Sequence, residues 1–201
     1  MAWILNLCLV IIFLVCLLMS LASGLWGNLI MIFNVILAAL IATNYFEPLA
    51  GWLDGQMASY TFLLDFISMW LIFALAIILL RAITDTLSRV KVRFKKPVEL
   101  AGGLVCGGII GWLMICFTLF SLHTAPLGFT FLGGGFDPHP NTKMFFGLAP
   151  DQKWLRFARD QSNPENGPLT AGEPFDPENY ILFYAARRAA FERQPELRTK
   201  G

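Results

Sequence analysis

No lysine or arginine occurs among the first eighty residues of this 201-residue chain, and only three acids do, Glu47, Asp54 and Asp65. All fifteen basic residues lie between Arg81 and Lys200. A water-facing surface needs charge, so eighty residues without a cation do not suit a soluble globular domain. Composition agrees: 56% of the residues are apolar and 14% charged, against roughly 45–50% and about 25% in soluble domains. The same numbers exclude intrinsic disorder. A formal net charge of +1 disfavours a nucleic-acid binder. The chain reads as an all-α integral membrane protein.

A helix crosses a hydrocarbon core of roughly 30 Å with about 20 mostly apolar residues. Four stretches meet that requirement, approximately 3–22, 26–46, 62–80 and 98–122. They predict a four-helix transmembrane domain over 1–125, followed by a tail over 126–201. Ser20-Leu21-Ala22 offers a small-x-small cleavage pattern. However, the preceding apolar run is about twice the 7–15 residues of a signal-peptide core and has no basic residue before it, so an uncleaved first helix is expected. Between the third and fourth stretches, residues 81–96 hold six basic residues and one acid. By the positive-inside rule that segment faces the cytoplasm. Alternation then places the turn at 24–27 on the same side. The N-terminus, the 47–61 loop and the tail lie outside.

Residues 123–150 are rich in proline and glycine and read as an irregular connector. Beyond it two short amphipathic helices are expected. One begins at Pro150 beside Asp151, with Trp154, Leu155, Phe157 and Ala158 as its apolar side. The other has Asp176 as N-cap and Pro177 at its first position, and runs through Tyr180, Ile181, Phe183, Tyr184 and Ala185 to about Glu192. The turn-rich stretch 162–174 reads as a linker.

Reactive side chains are few. Cys8, Cys16, Cys106 and Cys116 all fall within apolar stretches, with no C-x-x-C pair, and read as small buried side chains. Of the two histidines, His123 reads as an amphipathic ring at the membrane interface. His139, in Asp137-Pro138-His139-Pro140, falls far short of a metal site. No nucleophile elbow, His-Glu-x-x-His or phosphate-binding glycine loop occurs. No catalytic residue, cofactor or metal is expected, and the chain reads as a non-enzyme.

The strongest local pattern is Gly103, Gly107 and Gly111, spaced four apart on one helical face and widened by Gly102 and Gly108. Such a face lets another helix approach closely where lipid gives no hydrophobic drive between helices. It predicts a tight interface, within the subunit or between subunits. Asn34, Ala38 and Ala42 repeat the spacing in the second stretch, with Asn34 as polar glue worth about 1 kcal/mol. Asp65 is the one candidate intramembrane ionisable site, although it lies near the outer boundary. Glu99 sits in the first turn after Pro97, where a carboxylate favours the helix dipole. In the basic segment, Arg89, Lys91, Arg93, Lys95 and Lys96 serve as a topology signal or attract anionic headgroups at about 1 kcal/mol each.

Three stretches together carry a family resemblance: Gly24-Leu25-Trp26-Gly27, Ala42-Thr43-Asn44-Tyr45-Phe46-Glu47-Pro48-Leu49, and the glycine repeat from Gly103 to Gly111. Over about residues 1–125 the chain resembles a divergent member of the colicin V production protein (CvpA) family. It has Ser23 and Trp26, Glu99-Leu100 and Ile110 where that family commonly carries arginine-containing patterns. The resemblance implies a small four-helix protein of the bacterial cytoplasmic (inner) membrane, with a role in colicin V production or export, a form of toxin biosynthesis, or in envelope maintenance. It implies no catalytic residues. Two other classes compete with that reading. One is a small oligomeric transporter or channel subunit, with Asp65 and Asn34 lining a polar path. The other is an accessory subunit of a secretion complex, with segment 81–96 as its docking site. The partners expected are the lipid bilayer and either a second copy or another membrane protein, with no nucleic acid.

Overall fold

A computed structural model describes residues 3–56, 61–88, 94–128, 135–137, 139–162 and 176–193. These form five helices and, among the described residues, no strand: α1 Trp3–Asp54, α2 Thr61–Leu87, α3 Lys96–Thr124, α4 Pro150–Ser162 and α5 Pro177–Glu192. Three of them, α1 to α3, are long and apolar enough to cross a membrane.

The first two expected spans are the two helical arms of α1, 52 residues in all, joined directly at Gly24. Drawn straight, α1 would measure about 78 Å. It is broken at Gly24, whose φ of 72° and ψ of 161° lie outside helical geometry, in a region open essentially to glycine alone. No atom lies within 4 Å of where a Cβ would sit there, so backbone conformation and not space demands the glycine. The chain folds back at this point. Asn28 Nδ2 donates to the Ser20 carbonyl at 2.6 Å, whereas eight residues of unbroken helix would separate them by about 12 Å.

The first arm of α1, residues 3–23, lies antiparallel to α3. Phe13 faces Gly111 and Ser20 faces Gly107, while Leu5 and Leu9 join Ile115 and Leu119 in one apolar cluster. The second arm, 25–54, lies antiparallel to α2. Trp26 Nε1 donates to Ser88 Oγ at 2.8 Å, and Asn34 Nδ2 donates to Thr84 Oγ1 at 3.1 Å. Further along, Ala38, Ala42 and Phe46 pack with Met69, Phe73 and Phe117 in the main core.

Two boundaries differ from the sequence reading. The second arm runs past Phe46 through Pro48 to Asp54, although Pro48 cannot donate to the Asn44 carbonyl. Helix α2 continues seven residues beyond Leu80. Nothing between Thr61 and Leu87 breaks a helix, and an i,i+4 Arg81–Asp85 pair lies along the extension. Apolarity ends at residue 80, but helix propensity does not.

Helices α4 and α5 close one end of the bundle. Trp154, Leu155, Tyr180, Ile181 and Tyr184 belong to the same core cluster as Phe117 and Phe120. The Phe120 and Tyr180 rings stack at 5.1 Å, and Trp154 Nε1 donates to Thr43 Oγ1 at 3.2 Å. Phe183 stands on the other side of α5, exposed.

Candidate functional site

The glycine face of α3 is filled from within the chain. A Cβ on Gly107 would meet Ser20 Cβ at 2.8 Å, one on Gly111 would meet the Phe13 ring at 2.7 Å, and one on Gly102 would meet Leu25 at 2.5 Å. Gly103 is looser, its nearest neighbour the Ser20 carbonyl at 3.7 Å, and Gly108 meets only Phe13 Cζ at 3.9 Å. Asn34, Ala38 and Ala42 are buried on the second arm, on the side that faces α2. The glycine face meets the first arm of α1 and the Asn34, Ala38 and Ala42 face meets α2, so both are interfaces between helices of a single chain.

At the end covered by α4 and α5, polar groups that lie far apart in sequence meet. Asp65, buried in the second turn of α2, forms an ion pair with Arg187 of α5, whose Nη2 also donates to the Thr61 carbonyl at 3.0 Å. The next residue, Arg188, points to a different helix. Its Nη2 donates to the carbonyls of Leu122 and His123 at 3.2 and 3.0 Å, in the last turn of α3, where helix carbonyls lack their usual intrahelical donors and the Leu122 carbonyl also accepts from the Ala125 amide at 3.3 Å. His123 Nε2 lies 3.1 Å from Asp151 Oδ2, with the two side chains 1% and 2% exposed. Phe136 packs edge-on to His123 and lies under the Arg188 guanidinium. Burial raises the Tyr180 hydroxyl well above its ordinary range, so this ring enters the core uncharged.

Sequence reasoning missed this cluster. His123 is not an interfacial ring but a buried one, and Asp151 does more than favour the α4 dipole. The missed signal was the Arg187-Arg188 pair in a helix whose core-facing residues are otherwise apolar. Such cations need acceptors, and Asp65 and the end of α3 provide them.

At the opposite end, Lys95 and Lys96 are exposed, whereas Arg89, Lys91 and Arg93 lie outside the described residues. Glu99 Oε1 accepts from the Phe94 amide at 3.3 Å, a contact at the start of α3. Cys106 and Cys116 are buried, Cys16 is half-buried and Cys8 exposed, and none forms a disulfide. His139 is exposed and accepts from the Asn141 amide. Among the described residues no group of three or more His, Cys, Asp or Glu side chains could hold a metal ion.

Long apolar helices, a glycine break and a glycine face packed on a neighbouring helix define a multi-pass helical membrane protein. The model of the family described as "Colicin V production protein" matches residues 5–132, well over half of the chain, and the chain belongs to that family. No curated protein and no solved structure matches it significantly.

Proposed function

We propose that both arms of α1 cross the bilayer, giving four crossings with α2 and α3, and that the chain is a non-enzymatic inner-membrane protein serving colicin V production or export, or envelope maintenance. The observation that carries this reading is the family match over residues 5–132, which takes in the Gly24 break and ends before α4. Each arm of the 52-residue α1 is as long as a crossing requires. The six cations of segment 81–96 put that end in the cytoplasm, and α4 and α5 outside. The glycine face assembles the bundle itself, since Phe13, Leu17 and Ser20 occupy it. A channel lined by Asp65 and Asn34 has less support, because Arg187 and Thr84 already engage those side chains.

Two experiments test the proposal. Reporter fusions after Lys96 and after Gly201 are expected to show opposite sidedness, with a fusion after Gly27 matching the one after Lys96. Equal sidedness at Lys96 and Gly201 would overturn the topology. For the biological role, the chain is expected to restore colicin V release to producing cells that lack their own family member. Failure to do so, from a protein present in the membrane, would overturn the export assignment.

A further inference from the structure

A cavity of about 640 Å³ opens beside the Gly24 break, between the start of the second arm of α1, the end of α2 and the start of α3. Its α2 wall carries Arg81 and Asp85, and its α3 wall carries Lys96 and Glu99. Each wall thus offers one cation and one carboxylate. Arg81 Nε and Asp85 Oδ2 stand 3.7 Å apart, with 60% and 71% of their side chains exposed. Such a pair contributes about 0–1 kcal/mol and exchanges readily for other partners. Trp26 and Ser88, which also line the cavity, are bonded to each other, as are Asn34 and Thr84. Among the described lining residues, the charged groups Arg81, Asp85, Lys96 and Glu99 are therefore the ones to recognise a ligand, one Glu99 oxygen also accepting from the Phe94 amide at 3.3 Å.

Leu25 borders this cavity and also an adjoining groove of about 500 Å³, whose lining includes Pro97, Val98, Ala101 and Val105. The groove is apolar and runs along the first turns of α3. A simple anion entering the cavity would meet, among the described lining residues, as many carboxylates as cations. A molecule with a phosphate, an ammonium and an acyl chain would satisfy each of these described surfaces.

We propose that this end of the protein binds a zwitterionic amino-phospholipid. Its phosphate rests on Arg81 and Lys96, its ammonium between Asp85 and Glu99, and one acyl chain lies along Val98 and Val105. A primary ammonium donates charge-assisted hydrogen bonds to carboxylates, and a quaternary one cannot. Phosphatidylethanolamine is therefore preferred over phosphatidylcholine. The inference rests on the proposed crossing topology only in placing this end at a membrane surface.

The test is native mass spectrometry of the full chain released from nanodiscs holding equal parts phosphatidylethanolamine, phosphatidylcholine and phosphatidylglycerol. Wild type is expected to retain phosphatidylethanolamine about tenfold over phosphatidylcholine, the size of one hydrogen bond to a charged group. Asp85→Asn should abolish that preference while phosphatidylglycerol is still retained. Arg81→Gln and Lys96→Gln should each reduce retention of all three lipids. Lys143→Gln, exposed at the other end of the molecule, should change nothing. Equal retention of the three lipids by wild type would overturn the site. So would preference for phosphatidylglycerol alone, which is attraction to basic charge, or for phosphatidylcholine, which would point to the Trp26 ring. Variants that retain lipid like wild type would overturn it too. Same-sided reporters with intact lipid preference would fault the topology alone, and correct sidedness with equal retention would fault the site alone.

Discussion

Gly107 and Gly108 are neighbours in sequence with opposite surroundings. A side chain at 107 drives into Ser20 Cβ, an atom fixed to the first arm's backbone, whereas one at 108 meets only the tip of the Phe13 ring. Gly107→Leu is expected to cost about 1–3 kcal/mol or more, as overpacking does, and Gly108→Leu much less. Gly111→Leu should fall between them, because the Phe13 ring it meets can turn aside. Thermal aggregation midpoints in one detergent would rank the three, and equal midpoints would refute the contact. The second prediction at this scale concerns Asp151. Asp151→Ala strands the buried His123 without its partner, which should cost about 1–3 kcal/mol, measured by the same midpoints. The glycine spacing was legible because four residues return to the same helical face. The histidine–aspartate contact was not, since the two residues lie 28 apart and no local periodicity links them.

Among the elements, α5 depends on two adjacent arginines that reach different helices. Arg187 binds the start of α2 and Arg188 the end of α3, so the helix ties these two helix ends together, beside the direct Trp70–Ser121 bond between α2 and α3. Removing either arginine leaves buried acceptors exposed to a gap, Asp65 being the costlier, at about 3 kcal/mol. Hydrogen exchange is expected to rise across residues 177–190 in Arg187→Ala and in Arg188→Ala, while α3 amides stay protected. Unchanged exchange in α5 would mean that its aromatic face alone holds it. The starts of α4 and α5 fall on Pro150 and Pro177, where proline and a nearby acid signal a helix N-terminus in sequence. The far ends of α1 and α2 were less legible. Both were read from where apolarity stops, and a helix stops only where its backbone bonding does. Pro48 did not end α1, and the charged residues after Leu80 did not end α2.

For the whole molecule, the glycine face is spent on internal packing, so Gly107→Leu should alter the stability of the particle and leave its mass unchanged. Mass measured in nanodiscs would check this, and loss of a larger particle in the variant would place the contact between chains instead. The break at Gly24 has a consequence for how the protein is made. Two apolar arms joined by a single residue leave the ribosome with no cation in either of them or in the loop that follows. Nothing in this hairpin distinguishes one side of the membrane from the other. On the proposed four-crossing topology, its orientation is settled only when residue 81 and those after it are synthesised, and the decision then applies retroactively to everything already inserted. Neutralising the basic segment should therefore yield a mixed population, with whole molecules inverted rather than single helices misplaced, and reporters at both ends would switch together.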